Sequence, residues 1–539
     1  GSARSRRQAG AKQLYDLMSE AAFASAELNS SIFQALLNAR RVHGGSCAIL
    51  EDVKRAPLSY DKLIIGARLL SARLADHARP GKAVGLLLPN VNATVVAFFA
   101  LQARGAVPAM LNYSAGPQHV SDACRASGVS AVITSRAFVE QAKLTACISR
   151  LANEGVTILW LEDFAARIGP VSRLLGLMAD RTGLVRPVVG KASDIAVILF
   201  TSGSEGAPKG VALTHGNLIA NTRQVASRID FNPTDKVLNA LPMFHAFGLT
   251  GATLLPVLNG VRTLLYPNPL HYDAVPALAY DASATILFGS DTFLAGYGRQ
   301  AQPYDFYSVR YIFAGAERVK PETEALYMKK FGIRLLEGYG ATECAPVIAV
   351  NTPMHCKAGT VGRLLPGLHV ALDPVEGVER GGRLRVKGPN VMAGYYFVSN
   401  PGRLVPPTDG WHDTGDIVEI DSDGFVTIKG RAKRFSKIAG EMVSLGQIES
   451  LVSEIFPLAQ SAVMTVPDPR KGERLVLFTT QRDVDGRALG RALRDRGLSE
   501  LAVPRQIVES PALPMLATGK LDYGTLTGWA FDLARPDAA

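Results

Sequence analysis

From about residue 60 to 370, short apolar runs alternate with longer segments of helical spacing: "AVGLLLP", "AVPAMLN", "SAVITS", "TILWLE", "AVILFT", "VLNALP", "TLLYP", "TILFG", "YIFAG" and "RLLEGYG". This alternation indicates an α/β architecture with largely parallel sheets, in which ligands bind at the C-terminal ends of strands. After about residue 380 the pattern changes to "GRLRVKGPNVMAGYY" and "DGFVTIKGRAKRFSKIAG". Short strands between Gly and Asp turns predict a small β subdomain there. Beyond Arg431 the chain restarts as an α+β module of domain size, with "GRAKR" as the expected hinge. At the other end, residues 11 to 42 follow the basic "ARSRR" and have the apolar spacing of amphipathic helices. Such helices more often pack on their own domain, but a basic amphipathic start also suits an anionic membrane surface.

Composition narrows the class. A chain of 539 residues exceeds what one core organises, and 47% hydrophobic with 20% charged residues is ordinary for a soluble globular protein. The net charge of +10 favours acidic partners: nucleic acid, an anionic membrane, an acidic carrier protein or nucleotide substrates. With no RNA-binding signature, zinc-finger spacing or basic-zipper heptads, no nucleic acid partner is expected. Cys47, Cys124, Cys147, Cys344 and Cys356 form no C-x-x-C pair, which argues against a zinc site or a disulfide framework and fits a reducing cytoplasm. The longest apolar stretch is interrupted by Pro89, Asn90 and Asn92, so no membrane span is expected. No secretory leader is visible, and because the chain opens on "GS" without methionine, the natural one is expected to begin further upstream.

Candidate chemistry sits where apolar runs end. "TSGSEGAPKG", Thr201 to Gly210, follows a strand-like run with glycines that let backbone N–H groups approach an anion, hydroxyls that donate, and the charge of Lys209. Phosphate is the ligand this suits, though a mobile surface turn has the same composition. It is no Walker loop, because Lys209 is followed by Gly210 where Ser or Thr would hold magnesium. "GYGATE" offers Thr342 beside Glu343, a carboxylate that could share a cation with phosphate, or merely a helix cap. "HDTGD" supplies Asp413 and Asp416 for ribose hydroxyls, or a plain turn. His245 in "MFHAFG" suits a satisfied histidine as well as a ligand contact, and "PMLATGK" places Lys520 on a loop.

Taken in order, "TSGSEGAPKG", "FHAFG", "GYGATE", "DTGD", "GRAKRFSKIAG" and "PMLATGK" resemble the motifs of the adenylate-forming superfamily, which includes acyl-CoA synthetases, luciferases and peptide adenylation domains. The resemblance runs from about residue 50 to 525. The stretches "LFTSGSEGAPKG", "PNPLHYDAVPALAYDASATILFGSDTFL", "PYDFYSVRYIFAGAER", "LEGYGATECAPV" and "GRAKRFSKIAGEMVSL" are most similar to the acyl-[acyl-carrier-protein] synthetase half of bacterial 2-acylglycerophosphoethanolamine acyltransferase/acyl-ACP synthetase. The resemblance implies an upstream acyltransferase domain in the natural chain. No His here has an Asp five residues later, so that activity is not expected from this chain.

The fold expected is α/β: basic amphipathic helices over 1–45, then a large domain over 46–430 with two mostly parallel α/β sheet subdomains and a small β subdomain. A small mobile α+β domain over 431–539 follows. The resemblance implies an AMP-forming ligase that uses ATP and Mg²⁺ to convert a long-chain fatty acid to acyl-adenylate. It then transfers the acyl group to the phosphopantetheine of acyl carrier protein; a fatty acyl-CoA synthetase is the alternative, and an inactive lipid- or nucleotide-binding module the reading from another class. A cytoplasmic place, peripheral on the inner face of the bacterial membrane, goes with it.

Residue roles are carried over in the same way. Thr201, Ser202, Gly203, Ser204, Gly206 and Lys209 would cradle the phosphates, and Gly315, Ala316 and Glu317 would border adenine. Gly338, Tyr339 and Gly340 would form the next strand end, with Tyr339 stacked on the base. Thr342 would contact the α-phosphate and Glu343 would bind Mg²⁺, while Asp416 and Arg431 would hold ribose. Lys520 would reach the α-phosphate and the carboxylate, and His245 would border the acyl channel. Lys433 takes the hinge position, where many relatives have Asp, and "GSDTFL" departs where many have proline.

Overall fold

The computed structural model describes residues 3–166, 190–202, 207–376, 378–438, 441–468, 472–515 and 520–534. Gly203, Ser204 and Gly206 of the phosphate loop lie outside them. The chain packs as two units, Gly1–His369 with Lys387–His412, and Val370–Val386 with Asp413–Ala539.

In the first unit the apolar runs become the inner strands of two sheets. One has nine strands, and its middle six, in spatial order Leu335–Gly340, Tyr311–Ala314, Ile286–Gly289, Lys236–Asn239, Arg262–Leu265 and Ala48–Glu51, are all parallel. The other has eight strands, of which Ile195–Ser202, Val107–Met110, Ala83–Leu86, Ala131–Thr134 and Thr157–Trp160 are parallel. Val107–Met110, Ala131–Thr134 and Ile286–Gly289 are buried at every residue. That is why these strands read as continuous apolar runs rather than as alternation. Three antiparallel strands complete the eight: Pro208–Thr214, Gly394–Phe397 and Asn400–Val405.

Helix His215–Arg228 follows the strand Pro208–Thr214 and starts on a capping box in which Thr214 and Asn217 exchange side-chain and backbone hydrogen bonds. His215 accepts the N–H of Ile32 at Nδ1 over 3.1 Å, and burial lowers its pKa to about 4, so the ring is neutral. This fastens helix Ile32–His43, whose Ile32, Phe33 and Leu36 lie in the core. The expected N-terminal segment therefore packs as part of the large unit.

Helix Ala3–Ala24 reverses the usual arrangement. Arg228, 9% exposed, is 3.1 Å from both Asp16 and Glu20, and Arg363 pairs with Asp16 at 2.9 Å. Leu14, Leu17 and Met18 are instead 58%, 63% and 63% exposed. Asp16 and the more exposed Glu20 reach inward to Arg228, and Leu14, Leu17 and Met18 face outward. Among the described residues, no helix is long and apolar enough to cross a membrane.

The second unit contains the sheet His369–Asp373, Gly382–Lys387, His412–Ile420 and Val426–Arg431, the hairpin Phe435–Ile438 with Glu441–Ser444, and the three-stranded sheet Ser461–Asp468, Gly472–Thr479 and Gln506–Glu509. The break expected at 431 falls inside this unit. Strand Val426–Arg431 packs with helix Leu445–Ile455, so the small β sheet belongs with the C-terminal module by contact.

Replacing Arg228 with Ala should leave Glu20 without its partner and Asp16 held by Arg363 and His355. A loss of about 1 kcal/mol is expected, because Arg228 is nearly buried but the carboxylates it leaves are 31% and 56% exposed. Limited proteolysis should cut ahead of residue 25 faster than in the parent chain.

Candidate active site

The loop suited to phosphate is carried by the hairpin of Ile195–Ser202 and Pro208–Thr214, in which Thr201 stands opposite Lys209 and Ser202 opposite Pro208. Lys209 Nζ lies 5.2 Å from the centroid of the Tyr395 ring. Strand Pro208–Thr214 packs against the short turn Thr342–Cys344 that follows strand Leu335–Gly340 of the other sheet. Lys209 and Glu343, from two different sheets, thus both meet Tyr395, and Thr201 lies across the strand pair from Lys209.

Gly340 cannot carry a side chain, since a Cβ there would meet the Pro346 carbonyl oxygen at 2.2 Å. This close approach lets the chain turn into Thr342–Cys344. Glu343 is fixed twice by one neighbouring segment: Met392 N–H donates to its carbonyl over 2.8 Å, and the Tyr395 hydroxyl donates to Oε1 over 2.7 Å. Tyr339 is buried in the strand, at 8% exposure.

Strand Tyr311–Ala314 ends beside Leu335–Gly340, with Ala314 opposite Glu337, and continues into Gly315, Ala316 and Glu317. Gly315 N–H donates to the Gly289 carbonyl over 3.1 Å, and Ala316 takes a left-handed φ of 69°. Glu317 Oε2 accepts the N–H of Thr292 over 3.0 Å, which caps helix Asp291–Gln300. Its carboxylate therefore braces the adjoining strand end. Two residues below Tyr339, Glu337 accepts the Val319 N–H over 3.1 Å, and burial pushes its pKa up to about 7. Glu324 and Asp291 add to that rise; the Val319 bond and Arg318 oppose it.

His245 stands two residues before the π-helix Phe247–Leu254, with its ring centroid 4.6 Å from that of Phe244. Two buried asparagines hold this entry: Asn90 donates to the Leu241 carbonyl over 2.6 Å and accepts from Met243 N–H, and Asn239 donates to Gly248 O. Phe247 leans on Phe288, ring centroids 5.6 Å apart, and on the open edge of Gly315.

Asp416, Arg431, Lys433 and Lys520 belong to the second unit. Asp416 and Arg431 are partners across a strand pair, with Arg431 Nε 3.3 Å from Asp416 Oδ1. Lys433 lies in the short turn Ala432–Arg434. The next residue, Arg434, is clamped: it pairs with Glu449 at 2.5 Å and covers the Tyr523 ring at 4.1 Å. Lys520 is half-buried and precedes Leu521, which bridges to Met515.

The sequence marks Asn90 only as an interruption of an apolar stretch and singles out neither Tyr395 nor Asn239. Tyr395 stands in "GYYF", where alternation in a strand opposite Lys209 is the one available signal. Among the described residues no cluster of three or more His, Cys, Asp or Glu could hold a metal. A single carboxylate with neighbouring hydroxyls fits Mg²⁺, which keeps most of its ligands as water and phosphate oxygens.

A family model described as AMP-binding enzyme matches residues 38–396, and one for the AMP-binding enzyme C-terminal domain matches residues 447–520. The chain is 30% identical over 504 residues to a long-chain-fatty-acid–CoA ligase of Salmonella typhimurium, covering 86% of this chain and 88% of that protein. It is 30% identical over 497 residues to a feruloyl-CoA synthase of an Amycolatopsis species, covering 89% and 94%. Its fold is that of ATP-bound MatB from Rhodopseudomonas palustris, with a TM-score of 0.80 at 24% identity over 94% of this chain and 100% of that one.

Glu337 yields a pH prediction. Its folded pKa, about 7, lies above the ordinary 4.5, so the folded chain holds a proton that the unfolded chain releases between those values. Its stabilising contribution is complete below pH 4.5 and is lost as pH rises through 7. Chemical denaturation of the parent chain and Glu337→Gln should show their stability difference moving in favour of Gln by up to about 3 kcal/mol between pH 4.5 and 8.

Proposed function

The chain belongs to the AMP-binding enzyme family and is an ATP-dependent, AMP-forming acyl ligase; from that premise we propose that its acid is a long-chain fatty acid and its acceptor a phosphopantetheine thiol. The observation that supports this reading is the meeting of Lys209 and Glu343, from two sheets, on Tyr395, with Thr201 opposite Lys209 on the adjoining strand. In the first step a carboxylate oxygen of the acid bonds to the α-phosphorus of ATP while the bond to the bridging oxygen breaks and pyrophosphate leaves. In the second the thiol sulfur attacks the acyl carbonyl, loses its proton, and AMP departs.

Thr201 and Lys209 stabilise the charge that passes to pyrophosphate, and Thr342 orients the α-phosphate. Mg²⁺ held through Glu343 would neutralise phosphate oxygens. Lys520 supplies a point charge where carboxylate and α-phosphate, both anionic, must meet. Asp416 and Arg431 hold ribose, Gly315, Ala316 and Tyr339 border adenine, and His245 with Phe247 borders the acyl chain.

Coenzyme A is the acceptor favoured by the relatives, which are named CoA ligases, over the carrier protein expected from the sequence. Carrier protein is the second reading, supported by the stretches around Thr201, Tyr339 and Arg431 that resemble acyl-ACP synthetases. The outward face of helix Ala3–Ala24 combines Leu14, Leu17 and Met18 with exposed Arg4 and Arg7, while its acids are paired inward. That combination suits shallow contact with an anionic bilayer, the source of a long-chain acid.

Pyrophosphate release should require ATP, Mg²⁺ and a long-chain acid, and thioester should form with CoA. Turnover with holo-carrier protein alone would select the second reading, and no release with any acid would leave a binding module. Lys520→Ala should lower acyl-AMP formation at least about a hundredfold at unchanged melting temperature. In flotation, the protein should rise with phosphatidylglycerol vesicles and remain behind with phosphatidylcholine, and Leu14→Glu with Leu17→Glu should abolish the difference.

A further inference from the structure

Strand Gly394–Phe397 lies against Pro208–Thr214 with Tyr395 opposite Val211 and Phe397 opposite Lys209. Alternation along the pair puts Lys209, Val211, Tyr395 and Phe397 on one face of the sheet. On that face the Tyr395 ring receives Lys209 Nζ at 5.2 Å from its centroid, and the Phe397 ring stands 5.6 Å from it on the strand. The hydroxyl of the same tyrosine donates to Glu343 Oε1 over 2.7 Å. One side chain thus touches a cation suited to phosphate and a carboxylate suited to a divalent ion.

We propose that Tyr395 is a positioning residue that sets the rotamer of Glu343 and its spacing from Lys209 for a metal–nucleotide complex, an inference that rests on the ATP-dependent reading above. The segment holds Glu343 from both ends, through Met392 N–H on its carbonyl and Tyr395 on its carboxylate. A carboxylate already held in one rotamer loses less freedom when it engages a cation, so part of the binding entropy is met by folding. The ring acts separately: it offers Lys209 an aromatic face while the hydroxyl serves the carboxylate.

The two functions separate by substitution. Tyr395→Phe keeps the ring beside Lys209 and removes the donor to Glu343, whereas Tyr395→Leu removes both. Calorimetric titration should be run with ATP plus Mg²⁺ and with ATP plus EDTA. Tyr395→Phe is expected to bind ATP plus Mg²⁺ about tenfold more weakly than the parent, the size of one hydrogen bond to a charged group, and ATP without metal equally well. Tyr395→Leu is expected to weaken both. Adding Tyr395→Phe to Glu343→Gln should cost nothing further, because the hydroxyl acts through that carboxylate.

Parent-like binding of ATP plus Mg²⁺ by Tyr395→Phe would overturn the proposal. So would equal weakening with and without metal, or losses that add in the double variant, since either marks general support of the fold. A parent chain that bound ATP under neither condition would remove the underlying reading, and the proposal with it, before any variant was compared.

Discussion

The pinning of residues 389–397 between otherwise separate parts of the large unit is the constraint on which the site depends. Asn217, in the capping box of helix His215–Arg228, donates to the carbonyls of Pro389 and Val391 over 2.8 and 2.9 Å. Asn390, fully buried, donates to Cys344 O over 2.8 Å and accepts from Gln224. Met392 and Ala393 then bond Glu343 O and Ala212 O before the strand Gly394–Phe397 begins. The segment therefore carries hydrogen bonds to helix His215–Arg228, to strand Pro208–Thr214 before it and to the turn holding Glu343. Each bond contributes about 1 kcal/mol net, but a stranded buried partner costs about 1 to 3 kcal/mol. The network consequently holds its members in one arrangement more strongly than it stabilises the chain as a whole.

That constraint also separates what the sequence reveals from what it hides. The turn in "GYGATE" is legible because its requirement is local: a glycine where another backbone comes too close for a side chain. Gly340 shows the physical reason, a carbonyl oxygen too close for any Cβ. The parallel sheets are legible for a similar reason, since strands covered on both faces must be apolar throughout. Tyr395 is not legible in this way. Its partner Glu343 is 52 residues away, and "GYYF" in isolation is an ordinary strand. Glu317 is harder still, because its carboxylate accepts the Thr292 N–H, 25 residues away, and no local pattern marks that contact.

Helix Ala3–Ala24 fails the usual rule of reading for the same reason. Helical spacing of apolar residues predicts an inward apolar face, yet here Arg228 and Arg363, 212 and 347 residues away, draw Asp16 inward. Ser19 adds to the polar docking surface through Ser227, and Tyr15 packs its ring 5.4 Å from that of His355. A helix whose acids are all engaged leaves its aliphatic and basic residues for solvent or another surface. The boundary expected at Arg431 is displaced by a comparable long-range effect. The break in composition near that residue is real, but strand Val426–Arg431 packs with helix Leu445–Ile455 and the break in packing comes earlier.

Little space surrounds the ring of Phe247, two residues after His245. A Cβ added at Gly251 would meet its ring at 3.2 Å, and one added at Gly315 would meet it at 3.1 Å. The ring is thus seated between two positions that lack side chains, with Phe288 at its edge. Any larger residue at either glycine must move Phe247, and the ring cannot move toward Phe288 without disturbing the stacked Phe288–Phe313 pair behind it. The position of Phe247 is therefore set jointly by two absent side chains and an aromatic stack, rather than by one neighbour.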